Sequence, residues 1–230
     1  MNNPQVNLPL KLAENYSLES FYAGANEELL KVIHEFARTG VENVLYIWGS
    51  EGAGKSHLLQ GMVQKAVSEQ QLAAYIPIDS PHITRELIGQ LQPSALLCLD
   101  DVDRVGDDQA WQEALLDLFE RCKSAGDRLV LTASSNPATN AFTLKDLGTR
   151  FSSGLMYRIH TLDDYHRGEA IKWRAKNRGL VLSDQTTQYL LRRISRAPAD
   201  LFRTMDTIDQ ASLEHNRAVT IPFLKELGIK

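Results

Sequence analysis

The run G-S-E-G-A-G-K-S at residues 49–56 spaces its glycines, lysine and serine as G-x-x-x-x-G-K-S, and the chemistry of that spacing is phosphate binding. Gly49, Gly52 and Gly54 are expected to turn the backbone through positive φ and bring bare N–H groups against phosphate oxygens. Lys55 would neutralise β-phosphate charge, and the Ser56 hydroxyl would ligate Mg²⁺. Together with Ala53 and His57, these residues form the expected nucleotide-binding set. The context fits: V-L-Y-I-W (44–48) reads as a buried strand. H-L-L-Q-G-M-V-Q-K-A-V (57–67) reads as a helix whose positive end faces the same oxygens.

A second set of polar groups lies further along. Asp100 and Asp101 terminate the apolar run A-L-L-C-L (95–99). An acid at the C-terminal end of a buried parallel strand, beside the strand that feeds the loop, is where a nucleotide's Mg²⁺ is held. Asp100 is the expected metal-side carboxylate, acting through water, and Asp101 the candidate to orient an attacking water. The next strand, R-L-V-L-T-A-S (128–134), brings Thr132, Ser134 and Ser135 to its end. A hydroxyl there would sit between the loop and the acid and could bond a γ-phosphate or its water; Ser134 is taken as that sensor. Ser and Thr also simply begin loops, which is the competing reading. Cys98 and Cys122 belong to no C-x-x-C pair and read as small core residues. The six histidines lack H-x-x-x-H spacing, so no zinc site is expected.

These groups need elements to hold them. Strand patterns fall at 44–48, 73–78, 95–99, 128–133 and 157–160, with helical patterns after each of the first four, near 55–69, 82–91, 109–123 and 144–149. Continuous apolar strands separated by helices predict a parallel five-stranded sheet covered on both faces, an α/β base domain. After Asp163 the pattern becomes helical throughout, at 164–178, 184–195, 198–215 and 220–227. Gly179 fits a helix stop, Ser183 and Thr220 fit caps, and Pro198 fits an early helix position. The expected organisation is a flexible tail over 1–15, an α/β nucleotide-binding base over 16–161, and a small all-helical lid over 162–230.

Composition narrows the function classes. Net charge is −4, with 25 basic against 29 acidic residues, whereas a protein that grips DNA phosphates as its main work is usually basic. Sequence-specific DNA binding is therefore not expected, and protein partners are. No apolar run reaches the ~18 residues that span a bilayer. The start, M-N-N-P-Q-V-N-L-P-L, has neither the basic nor the apolar region of a secretory signal, which predicts a cytoplasmic protein without membrane attachment.

Taken together, the chain resembles the AAA+ module of bacterial DnaA-type replication initiators and, more closely, the Hda group of DnaA-homologous regulators. The resemblance covers nearly the whole chain. It runs through Y-S-L-E-S-F-Y-A-G-A-N-E-E-L-L (16–30), the phosphate loop continued to Leu59, L-C-L-D-D-V-D (97–103) and L-T-A-S-S-N-P (131–137). It continues in D-L-G-T-R-F-S-S-G-L (146–155) and T-I-P-F-L-K-E (220–226). The phosphate loop alone identifies only a superfamily; the ordered set is far more specific. Initiators of this family carry a helix-turn-helix domain after the lid and an interaction domain before the base. Here the sequence stops at Lys230 and only a short tail precedes Tyr16, so the regulator reading is expected.

The resemblance implies roles for further residues. Q-V-N-L-P-L (5–10) is similar to the short peptides that dock on the DNA polymerase sliding clamp, with Gln5, Leu8 and Leu10 as contacts. Arg150, in G-T-R-F, falls where the family places an arginine finger that acts in trans on a neighbour's nucleotide. One position departs from the pattern. Where the third lid helix begins, the family has an arginine on the nucleotide's phosphates (sensor II), and this sequence has Ala199. Arg203 lies one turn further along the same face and Arg196 precedes the helix; neither matches, and Arg203 is carried as the alternative sensor. The substitution points to ADP or another nucleoside diphosphate as resident ligand, with Mg²⁺. The implied function is a regulator that stimulates ATP hydrolysis on the initiator DnaA from the sliding clamp, with weak hydrolysis of its own and possible self-association. An autonomous ATPase, such as a helicase-loader or clamp-loader subunit, is the rival. A truncated DNA-binding initiator is a third reading.

Overall fold

The computed structural model describes residues 16–39, 42–92, 94–139, 142–194, 198–215 and 217–229. Its apolar runs form strands β1 (Val44–Trp48), β2 (Ala73–Pro77), β3 (Leu96–Asp100), β4 (Arg128–Ala133) and β5 (Leu155–Arg158). They pair in parallel in the order β2-β3-β4-β1-β5. Helices α1 (Glu27–Thr39), α2 (Lys55–Ser68), α3 (Arg85–Gln90), α4 (Gln109–Ala125) and α5 (Lys145–Phe151) alternate with them.

Both faces of the sheet are covered, which is why its central strands carry long apolar runs rather than apolar residues only at alternate positions. On one face Leu45, Ile47, Cys98 and Val130 meet Leu29, Ile33 and Phe36 of α1 and Leu58, Leu59 and Met62 of α2. On the other, Tyr46, Leu97, Leu99, Leu129 and Leu131 meet Leu115, Leu118 and Phe119 of α4 and Leu147 and Phe151 of α5. Each of these large side chains, fully buried, stabilises the fold by ~1.5–3 kcal/mol. Cys98 and Cys122 are free and buried in these cores, as their apolar settings predicted.

Three features differ from the sequence reading. β4 lies between β1 and β3, so the strand ending in Asp100 is not beside the loop-bearing strand. Strand order is set by long-range pairing, such as Val44 opposite Leu129, which no local pattern encodes. β5 begins two residues earlier than expected, straight after Gly154, where a Cβ would lie 2.3 Å from the Val44 carbonyl oxygen. It is an edge strand of alternating exposure, so a search for a continuous apolar run misplaces it. Helix α1 was not expected as a separate element. Its acidic first turn, Glu27 and Glu28, favours the helix N-terminus, and its inward face carries Leu29, Ile33 and Phe36.

The chain divides into two compact units: Asn26–His160 with the segment ending at Phe21, and Thr161–Lys230 with Tyr22–Ala25. The second is helical: α6 (Asp164–Asn177), α7 (Asp184–Leu191), α8 (Pro198–His215) and α9 (Ile221–Glu226). Its core joins Ile171, Ala175, Leu190, Met205, Ile208 and Leu224. Side-chain caps set the helix starts: Asp163 accepts from His166 N, Ser183 from Thr186 N and Thr220 from Phe223 N. Arg178, at the end of α6, pairs with Asp206 and lies 3.5 Å from Asp209 on α8.

Candidate nucleotide-binding site

Residues 49–54 carry the chain from β1 into α2. Gly52 (φ 76°) and Gly54 (φ 102°) adopt the positive φ expected of them. Gly49 does not; it is required for another reason, since a Cβ there would lie 2.4 Å from the Ile159 carbonyl oxygen. At Gly54 a Cβ would also press to 2.8 Å on the Phe21 ring. The amide of Ala53 is turned inward and donates to Ser50 O at 3.2 Å. Helix α2 then starts without a side-chain cap, unlike α3, α4, α6, α7 and α9. The first-turn N–H groups of a helix have no intrahelical acceptor, so this end is built to receive an anion.

Lys55 completes the cradle. It is buried, and its ammonium donates to Gly49 O at 3.1 Å and lies 3.5 Å from Asp101 Oδ1. Asp101 sits in the left-handed region (φ 54°, ψ 51°) at the head of the short turn Val102–Val105. Burial, and then the neighbouring Asp100, push its carboxyl above the ordinary aspartate value, while Lys55 opposes that rise. Glycine turns, an uncapped helix end and a buried lysine together fit a nucleotide's phosphates.

Asp100 lies at the centre of a polar cluster and is 3% exposed. Its Oδ1 accepts from the Thr132 hydroxyl, and its Oδ2 accepts from the Tyr75 hydroxyl at 2.7 Å. Thr132 in turn accepts from the Asp101 amide at 2.9 Å, so β4 pins both acids. Burial, then the neighbouring Asp100, push the Tyr75 hydroxyl up, so it keeps its proton. Neither Thr132's grip on Asp100 nor Tyr75's was assigned from sequence. A tyrosine inside A-A-Y-I-P reads as core; the one available signal was its position on the strand next to the acid.

The other expected site residues are placed as follows. The Ser134 amide, at 2.9 Å, and its hydroxyl both donate to Asp103 Oδ2 rather than to Asp100. His57 faces the lead-in segment: its Nε2 is 2.9 Å from Ser17 O and 3.0 Å from Ser20 Oγ, and its ring stacks on Tyr16 at 4.8 Å. Arg150 is on α5, its Nε 2.8 Å from Glu120 Oε1 and 3.8 Å from Asp146 Oδ1, away from the phosphate loop's own contacts. Ala199 lies in the first turn of α8; Arg203, one turn on, is 78% exposed and pairs with Asp200 at 3.5 Å. Arg196, Gln5, Leu8 and Leu10 lie outside the described residues. Among the described residues no cluster of three or more His, Cys, Asp or Glu forms a metal site. A nucleotide-borne Mg²⁺ needs no such cluster; Ser56 and Asp100 are the groups of suitable chemistry, and both Asp100 oxygens already accept a hydroxyl.

Sheet order, loop and lid define an AAA+ module. The family model of the bacterial DnaA ATPase domain matches residues 12–158, and that of the Hda lid domain matches residues 164–227. The chain therefore belongs to the bacterial DnaA ATPase-domain family, as a DnaA-homologous protein whose lid is of the Hda type. An uncharacterized protein of Haemophilus influenzae is 34% identical over 227 residues, covering 98% of each chain. Among solved structures, AMPPCP-bound DnaA from Aquifex aeolicus is similar with a TM-score of 0.72 and 24% identity, over 88% of this chain and 68% of that one. Domain III of Thermotoga maritima DnaA gives a TM-score of 0.74 at 19% identity, over 93% and 95%. At these identities the two structures speak to the fold alone. Among the described residues no helix is long and apolar enough to cross a membrane.

Proposed function

We propose that this protein is a cytoplasmic regulator that switches replication initiation off by promoting ATP hydrolysis on the initiator DnaA. Three segments divide the work: tail 1–15 tethers the protein to the sliding clamp through Gln5, Leu8 and Leu10, base 16–161 binds nucleotide, and the helical lid spans 162–230. The resident nucleotide is ADP or a related diphosphate, held by the 49–56 loop. Lys55 and the uncapped end of α2 bind its β-phosphate. Mg²⁺, when bound, would neutralise phosphate charge from the Ser56 and Asp100 side. Arg150 acts on the partner: presented to ATP on DnaA, its guanidinium meets charge developing on the transferred phosphoryl group, an effect worth ~10³–10⁵ in rate in well-studied systems.

The observation that carries this reading is the place of Arg150. It rides on α5, whose Leu147 and Phe151 anchor the helix in the core, while its own side chain is 40% exposed and pairs with Glu120 and Asp146. The test is Arg150→Ala, assayed on DnaA with clamp-loaded DNA. ADP binding and clamp binding are expected to persist while stimulation of hydrolysis is lost. Arg150→Lys should also be poor, since an ammonium lacks the planar fork that grips two phosphate oxygens. Full stimulation by Arg150→Ala, or brisk ATP turnover by the protein alone, would overturn the proposal.

A further inference from the structure

The hydroxyl of Tyr75 lies against Asp100, one of the two groups suited to a nucleotide's Mg²⁺. It donates to Asp100 Oδ2 at 2.7 Å. The register of β2 on β3 sets this up. Pro77 is opposite Asp100, so Tyr75, two residues back on the same face, has a ring of the right length to bring its hydroxyl level with the carboxylate. The ring itself packs into the core beneath α2. The remaining carboxylate oxygen, Oδ1, accepts from Thr132, and Asp100 is 3% exposed.

Mg²⁺ dehydrates reluctantly and keeps several waters in an octahedral shell, so a carboxylate that serves it through water must have an open lone pair and room beside it for that water. Asp100 has a protein hydroxyl on each oxygen and is closed to solvent. We infer that Tyr75 is a positioning residue that, by holding Asp100 Oδ2, takes the place a metal-bound water would need at that carboxylate, so that the loop binds a nucleoside diphosphate with little help from Mg²⁺. A diphosphate is the ligand that tolerates this. Its β-phosphate is met by Lys55 and the end of α2, and it lacks the γ-phosphate whose charge most needs the metal. The inference rests on the 49–56 loop being a nucleotide site and goes beyond it by naming what sets its metal requirement.

The experiment is calorimetric titration of ADP into the full-length, nucleotide-stripped protein, with Mg²⁺ or with EDTA, for wild type and Tyr75→Phe. The phenylalanine keeps the ring in the core and removes only the hydroxyl. Wild-type affinity is expected to agree within about twofold in the two conditions, and the variant to gain about tenfold from Mg²⁺ as water enters beside Asp100. A purely structural tyrosine would lower the melting temperature without opening this Mg²⁺ difference, and that result overturns the inference. So does a wild-type protein whose ADP affinity already depends strongly on Mg²⁺, a measurement that needs no variant. Absence of ADP binding in every sample would instead sink the nucleotide-site reading, and the inference with it.

Discussion

Lys55 is a buried cation whose present company is one carbonyl oxygen and the Asp101 carboxylate at 3.5 Å. A phosphate arriving in the loop must compete with Asp101 for it, so removing the lysine removes the reason to bind. Lys55→Ala is expected to abolish the rise in melting temperature given by ADP, a rise of about 2.7 kcal/mol in stability at a hundred times Kd. Gly54→Ala should do the same by another route. It forces a side chain into φ 102° and against Phe21, at a cost of order 1–3 kcal/mol, and distorts the end of α2. Thermal melts with and without ADP read both variants; an undiminished shift in either would count against the loop as the binding site. At this scale the sequence was legible where spacing carries the chemistry, as in G-x-x-x-x-G-K-S. It was illegible where one strand's side chain completes another's. His57 follows the motif directly, yet it packs on Tyr16, and Asp100 is held by Tyr75 and Thr132, each from a different strand.

Helices and strands were legible in proportion to how local their causes are. The caps Ser183 and Thr220 could be read because a capping hydroxyl bonds an amide only three residues on. Thr220→Ala, which deprives the first turn of α9 of that acceptor, should lower stability by about 1 kcal/mol. A urea titration would show the midpoint falling at constant m-value, and no change would mean that α9 is fixed by Phe223 and Leu224 alone. The order of strands was not legible in this way. Nothing in V-L-Y-I-W states that it will lie between R-L-V-L-T-A and an edge strand, although the pairing fixes where Gly49 emerges relative to Asp101.

As a whole molecule the protein joins an α/β base to a lid whose family is specific, and the proposed tether precedes both in the sequence. Among the described residues the buried clusters of the base begin at Leu18. Replacing Leu8 and Leu10 together with alanine is therefore expected to abolish retention on immobilised clamp and leave the melting temperature unchanged. Normal retention would place the docking site elsewhere. The sheet order also bears on how the molecule is made. β1 leaves the ribosome first, yet its neighbours are the fourth and fifth strands. At ~5–20 residues per second, the loop-bearing strand waits on the order of ten seconds with both edges unpaired, while β2 and β3 can already join each other. The 49–56 loop thus reaches its final setting only late, after Arg128–Ala133 has slotted in beside Val44–Trp48.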